Sequence, residues 1–113
     1  MNYAAASSDS DRQAILRVLK SGADLARSMK IDFHVAAPTD QSAQRIALAA
    51  REQGFEVIVS RNQSGAAWTC SCSRSMVLSH DELMRVQEQL NELSHPFGGY
   101  SDGWGTFGNQ KNG

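Results

Sequence analysis

Residues 31–55 read IDFHVAAPTDQSAQRIALAAREQGF, and this stretch decides the fold. Its first seven residues alternate apolar and polar side chains, which predicts a half-buried strand that ends before a proline. Thr39 can cap a following helix that runs to about Gln53, because small and apolar residues recur there at three- and four-residue spacing. Gly54 ends the helix, and a Val- and Ile-rich strand follows over residues 55–60. The stretch therefore predicts a strand–helix–strand unit.

The second half of the chain predicts two more strands with a helix between them. Residues 61–65 form a predicted hairpin loop that leads into a third strand from about Ala66 to Val77. Ser79 and Glu82 then form a capping box for the most regular amphipathic helix of the chain. The apolar face of that helix consists of Leu83, Val86, Leu90 and Leu93. A short, glycine-interrupted fourth strand is predicted over residues 100–107.

An additional helix precedes this pattern. Ser10 and Gln13 form its predicted capping box, and Gly22 ends it. Its predicted apolar stripe consists of Ile15, Leu16 and Leu19. The whole order predicts an α+β, ferredoxin-like βαββαβ fold, in which two helices cover one face of a four-stranded antiparallel sheet. We expect the opposite face to be open or covered by the extra N-terminal helix.

Length and composition limit the class of protein. The 113 residues are 41% hydrophobic and 20% charged, which is typical of one globular domain. We assign that domain to residues 10–108 and predict flexible ends over residues 1–9 and 109–113. No apolar run is long enough for a membrane span and no secretory signal is recognisable, so we expect a cytoplasmic protein. The net charge of -1, without a block of like charges, argues against direct nucleic-acid binding.

The two cysteines, Cys70 and Cys72, are separated by one residue. On a strand this spacing places their α-carbons about 6.5–7 Å apart, so we predict reduced thiols rather than a disulfide. Zinc sites need four ligands and wider cysteine spacing, and only the distant His80 could join the pair, so no metal or other cofactor is predicted. A catalytic cysteine would need His34 or His80 as its base, and the sequence places neither beside it. An enzyme is therefore the least favoured class.

The most distinctive run of the chain is Tyr100-Ser101-Asp102-Gly103-Trp104-Gly105-Thr106-Phe107. At the end of an α+β chain, directly after an amphipathic helix, it resembles the signature of the regulator of ribonuclease activity B family, whose members are ribonuclease E inhibitor proteins. Two further runs are similar to the family's entry to its second strand and the start of its last helix: Gly54-Phe55-Glu56-Val57 and Ser79-His80-Asp81-Glu82-Leu83. The resemblance covers about residues 10–108 and implies a ferredoxin-like fold.

The resemblance also implies a function. Family members are non-enzymatic regulators that bind ribonuclease E outside its catalytic domain and reduce messenger RNA decay. An acidic surface for a basic partner segment would come from Asp81, Glu82, Glu88, Glu92 and Asp102. We predict that the partner-binding surface combines Tyr100, Asp102, Trp104, Glu88 and Glu92.

Two alternatives remain open from the residues. The glycines around Trp104 could serve the fold, by bending the strand while the indole fills the core, or could admit a partner to an aromatic anchor. The chain as a whole could be a self-associating module, a homodimer for example, or a small-ligand-binding module. An RNA-binding sheet face is not favoured, because its outward positions carry no aromatic platform; these are His34, Ala36, Thr69, Ser71 and Ser73.

Overall fold

The computed structural model describes residues 4–6, 11–62 and 67–109. The elements in chain order are β1 (Ala4–Ala6), α1 (Asp11–Lys20), β2 (Ser28–Ala37), α2 (Asp40–Glu52), β3 (Glu56–Arg61), β4 (Trp68–Val77), α3 (His80–Ser94) and β5 (Tyr100–Thr106). A 3-10 helix, His95–Phe97, joins α3 to β5. Every predicted helix and strand is present, with ends that differ by a few residues. The predicted cap Ser10 and most of the predicted hairpin loop lie outside the described residues.

The strands form one antiparallel sheet in the order β1-β5-β2-β4-β3. The four predicted strands have the ferredoxin-like order, with β2 and β4 at the centre, which confirms the predicted fold. The sheet has a fifth strand as well, because Ala4–Ala6 pairs with residues 104–106 of β5. These residues belong to the segment 1–9 that the sequence assigned to a flexible end. Three consecutive alanines carry no alternation of polar and apolar side chains, so the sequence held no signal for this strand.

The hydrophobic core lies between the sheet and the helices. Alternate residues of β2 face the helices, and Phe33 pairs with Cys72 on one side and Trp104 on the other. Residues opposite each other in adjacent strands share a sheet face, so the indole lies on the helix side. The Phe33 and Phe55 rings meet edge to face with their centroids 6.4 Å apart. The largest fully buried helical side chains over this layer are Ile46, Leu83, Leu90, Val18 and Val86.

The helix α1 lies beside α3, on the same side of the sheet as α2. Its first residue, Asp11, accepts hydrogen bonds from Gln87 of α3 and from Trp104 of β5. No helix in the described ranges therefore covers the opposite sheet face. The predicted apolar stripe of α1 is wrong at Leu16 and Leu19, which are exposed, whereas Ile15 is partly buried and packs against the core. Ala14 and Val18 are the buried apolar side chains of α1, so the opposite side of the helix, with the two leucines, faces outward.

The starts of the two longer helices and of β5 are fixed locally. Thr39 Oγ1 accepts from the amide of Ser42 at 3.1 Å, and Ser79 Oγ accepts from the amide of Glu82 at 3.2 Å, which confirms the predicted caps. At Gly99, a Cβ atom would lie 2.8 Å from the carbonyl oxygen of Ala36 and 2.8 Å from Ile46 Cδ1. The entry to β5 therefore requires a residue without a side chain.

Candidate partner-binding surface

The indole of Trp104 lies inside the molecule. Its exposed fraction is 0%, so the predicted contact role of this residue does not fit the structure, and the reading in which the indole fills the core does. The reason lies in the register of β5, which places Trp104 opposite Phe33 on the helix side of the sheet. A partner on the surface cannot reach this side chain while the fold is intact.

The strand β5 reaches this position through a bulge. Its register with β2 shifts between Phe33 and Val35, and Gly103 has a φ of 98°, a conformation that favours glycine. The extra residue on β5 keeps both Ser101 and Trp104 on the helix side. The first glycine of the distinctive run thus sets the direction of the tryptophan.

A buried carboxylate holds the indole in place. Asp11 is 3% exposed, and its Oδ1 accepts from Trp104 Nε1 at 3.0 Å while its Oδ2 accepts from Gln87 Nε2 at 3.1 Å. The carboxylate also occupies the first turn of α1, where the helix dipole favours negative charge. One side chain thereby joins α1, α3 and β5. No local sequence pattern marks Asp11, since the pairing depends on residues far apart in the chain.

One half of the outer edge of β5 forms a groove with α3. The described part of β1 pairs only with the second half of β5, so the edge near Ser101 is not covered by that strand. Asn91 of α3 closes part of this edge, because its Oδ1 accepts from the amide of Ser101 at 2.9 Å. Beside this bond lies a groove of about 350 Å³. Its lining residues are Asp11, Met84, Gln87, Glu88, Asn91 and Ser101.

The outer face of α3 carries two of the predicted acidic contacts. Leu83, Val86 and Leu90 are buried, so Glu88 and Glu92 face outward. Glu88 lines the groove, and Glu92 lies one helical turn further on. In the described ranges, neither carboxylate has a cation within ion-pair distance.

Two other acidic residues of α3 have local partners. The Arg85 guanidinium donates to Glu82 at 2.8 Å and lowers the pKa of that carboxyl, first through the hydrogen bond and then through its charge. His80 Nδ1 lies 3.8 Å from a carboxylate oxygen of Asp81. The charge of Glu82 is therefore offset by Arg85, whereas the Asp81 carboxylate remains fully exposed.

Tyr100 and Asp102 lie on the other side of the same strand edge. Tyr100 is 56% exposed and pairs with Ala36, which faces away from the helices. Because side chains alternate along a strand, Asp102 also faces away from the helices, opposite in direction to Ser101. The four exposed residues of the prediction thus surround one segment of the β5 edge: Glu88 and Glu92 on the helix side, Tyr100 and Asp102 on the open side. We call these four residues the β5-edge surface.

The thiols are enclosed by the core. Cys70 and Cys72 are both 0% exposed and unbridged. Burial raises the pKa of Cys70 to about 11 and that of Cys72 to about 12, and the neighbouring Cys70 charge contributes to the second shift. Since the thiolate is the reactive form, neither thiol is activated as a nucleophile or a metal ligand.

The open face of the sheet is polar and rich in hydroxyl groups. Ser73 Oγ donates to Asp32 at 2.6 Å, and Ser71 Oγ lies 3.5 Å from His34 Nδ1. A catalytic triad needs a carboxylate that orients the histidine. Here the Asp32 carboxylate instead accepts from Ser73, and His34 lies beside a different serine, Ser71. In the part of the chain that the structure describes, no cluster of three or more potential metal ligands occurs. Nor is any helix there both long and apolar enough to cross a bilayer.

Comparison with known proteins agrees with the resemblance in the sequence. A sequence model of the family described as regulator of ribonuclease activity B matches residues 8–106. A protein of Proteus mirabilis (strain HI4320) named regulator of ribonuclease activity B is 29% identical over 100 residues, which cover 85% of this chain and 70% of that protein. The matched range contains α1, α2, α3 and the complete β5 strand, including the bulge and the buried indole. The chain therefore belongs to the regulator of ribonuclease activity B family.

Proposed function

We propose that this protein is a non-enzymatic regulator that binds ribonuclease E through the β5-edge surface and slows RNA decay. Family membership supports regulation of a ribonuclease, and the relative from Proteus mirabilis carries the same description in its name. The observation that carries the proposal is the position of the family's distinctive run. The tryptophan of this run is buried, and its burial fixes the position of the β5 edge. The exposed acidic residues of the β5-edge surface lie around that edge.

The charge of the β5-edge surface supports a cationic partner. Glu88, Glu92 and Asp102 are all exposed, and none of the described residues that line the groove between α3 and β5 is basic. A surface with one sign of charge attracts a partner of the opposite sign and speeds its association. A basic segment of the ribonuclease meets this requirement.

The interior chemistry supports a regulator rather than an enzyme. The buried Asp11 carboxylate is occupied by the indole of Trp104 and the amide of Gln87. The two thiols have raised pKa values, which disfavours nucleophilic attack at neutral pH. These ionisable groups stabilise the fold and do not converge on a reacting atom.

The test is a binding titration against purified ribonuclease E from the same cell, coupled to an assay of RNA cleavage. We expect Glu88→Lys to weaken binding about tenfold, because it replaces an attractive charge by a repulsive one. Asp102→Ala should weaken binding by a smaller factor, and both variants should inhibit RNA cleavage less than the wild type.

Glu52→Lys provides the matched control. It makes the same change of charge on α2, which lies on the other side of α3, since Gln89 donates to Gln53 across that contact. Its affinity should equal that of the wild type. No association of the wild type at micromolar concentration would remove ribonuclease E as the partner, and equal losses in Glu88→Lys and Glu52→Lys would remove the β5-edge surface.

Self-association is a second candidate, favoured by the edge strand β3. This strand ends the sheet on one side, and Ile58 on its open face is exposed. Unpaired strand edges can join to those of a second copy. Light scattering over a range of concentrations distinguishes the candidates, since a monomer at every concentration argues against this one.

A further inference from the structure

The outward face of α1 exposes two leucines. Leu16 is 54% exposed and Leu19 is 49% exposed, although the sequence favoured burial of both. They are three residues apart and therefore lie on the same face of the helix. Met84 on the neighbouring α3 is also 49% exposed. Exposed apolar residues on two adjacent helices indicate a surface that gains stability when it is covered.

A hollow of about 400 Å³ separates α1 from the start of α3. Its lining residues are Arg12, Ile15, Leu16 and His80. It adjoins the groove at β5, because Arg12 follows Asp11 directly and Met84 lies one turn after His80 on α3. The two depressions are therefore neighbours on the same side of α3, and we call them together the α3 groove.

The α3 groove is chemically asymmetric. The hollow near the start of α3 combines the apolar side chains of Ile15 and Leu16 with Arg12 and His80, and Met84 extends the apolar contact into the groove near β5. The end near β5 is acidic, with Glu88 in its lining and Glu92 one turn beyond. An occupant must therefore offer apolar side chains at one end and cations at the other.

We propose that the α3 groove binds an amphipathic segment of the ribonuclease, with apolar residues on Leu16 and Met84 and basic residues on Glu88. This inference rests on the proposed function and deepens it by naming the chemistry of the bound segment. Arginine or lysine alone would leave the leucine and the methionine in contact with water, whereas an amphipathic segment covers both ends.

A second copy of the chain fits the groove less well. Among the described residues that line its own groove, Arg12 is the cation that could face the carboxylates of Glu88 and Glu92. His80 already lies beside Asp81. The excess of negative charge at the β5 end therefore calls for a more basic partner than the chain itself supplies.

The experiment compares polar substitutions at matched exposed positions. Leu16→Gln and Met84→Gln remove apolar contacts from the groove, while Leu48→Gln makes the same change at a 61% exposed position on α2. Each variant is titrated with full-length ribonuclease E. A second titration uses a synthetic helical peptide with leucines on one face and arginines on the other, together with a peptide in which serine replaces every leucine.

We expect Leu16→Gln and Met84→Gln each to weaken binding about fivefold in both titrations, because a partly buried apolar side chain is lost from the contact. Leu48→Gln should bind as the wild type does, and the serine peptide should bind more weakly than the leucine peptide. Added salt should reduce the effect of Glu88→Lys but preserve the effect of Leu16→Gln, because salt screens charges and not apolar contacts.

The two proposals fail in different ways. If ribonuclease E does not bind but the leucine peptide binds with the expected pattern of variants, the named partner is wrong and the α3 groove inference stands. The inference is wrong if Leu16→Gln and Met84→Gln bind both ribonuclease E and the leucine peptide with the affinity of the wild type. A wild-type dimer that Leu16→Gln dissociates would overturn it too, since a second copy would then occupy the groove.

Discussion

The Asp102–Gly105 segment of β5 and the outer face of α3 differ in what they offer to a partner. Both belonged to the predicted contact surface. The first turns its largest side chain, Trp104, completely into the core, while the second exposes Glu88 and Glu92. The most distinctive run of this sequence is therefore distinctive because the packing of the core requires it. The exposed acidic residues lie on α3, a helix whose sequence is more ordinary.

The physical reason for this difference is the number of constraints on each residue. Trp104 must fit the space beside Phe33, receive its direction from the bulge at Gly103, and donate to Asp11. Glu88 needs only to stay out of the core on a helix whose other face is apolar.

The largest expected effect is that of Trp104→Ala. Removing a fully buried indole should lower the free energy of unfolding by about 3–5 kcal/mol, because the transfer free energy is lost and a cavity remains. Denaturant titration measures this loss. Tyr100→Ala, at the exposed start of the same strand, should change stability by less than about 0.5 kcal/mol. A stable Trp104→Ala variant with impaired binding would contradict the architectural role.

Gly99→Ala tests how tightly the entry to β5 is packed. The new methyl group would meet the Ala36 carbonyl oxygen, which is backbone and cannot rotate away, so we expect a loss of about 1–3 kcal/mol. Gly54→Ala is the comparison, because its φ is 93° but the nearest atom to a Cβ is 3.9 Å away. Its cost should come from backbone strain alone, about 1 kcal/mol. Equal losses in thermal or denaturant unfolding would argue against crowding at Gly99.

Asp11→Ala tests the link between α1 and the buried indole. It leaves the indole N–H of Trp104 without its acceptor and removes one of the two acceptors of the Gln87 amide, which still donates to the Leu83 carbonyl, so the free energy of unfolding should fall by about 1–3 kcal/mol. Asp11→Asn retains one acceptor oxygen for the indole and should cost less. Denaturant titration followed by tryptophan fluorescence measures both variants. Equal stability of Asp11→Ala and the wild type would show that the link is dispensable.

The effect that is smallest at neutral pH is that of the thiols, which changes stability only in alkaline solution. Burial holds the pKa of Cys70 at about 11 and that of Cys72 at about 12, above the ordinary 9.0 that applies to the unfolded chain. The folded protein therefore retains protons that the unfolded chain loses, and the contribution of the thiols to stability is complete below pH 9.0. As pH rises from there towards the folded pKa values, that contribution falls.

Unfolding titrations across this range measure the effect. The control is a variant with both thiols replaced by alanine, which should start from lower stability but lose less of it as the pH rises. The same slope in the control and in the wild type would show that the thiols are not its source. Burial of both thiols also predicts that thiol reagents label the native protein slowly.

Local patterns predicted most of the fold because each one reports a local physical requirement. The alternation in β2 follows from one buried sheet face, and the spacing of Leu83, Val86 and Leu90 follows from one buried helix face. The caps at Thr39 and Ser79 satisfy amides a few residues away. The family's distinctive run is equally visible in the sequence.

Contacts between distant residues decided the rest. Leu16 faces solvent because Ala14 and Val18 pack inward, and the sequence does not show which side of an amphipathic helix meets a neighbour. Trp104 is buried because β5 pairs with β2 across a bulge, and Asp11 reaches it from the other end of the chain. Sequence spacing determined which elements form, since that depends on neighbouring residues. The tertiary structure decided which residues a partner can touch, since exposure depends on what the rest of the chain covers.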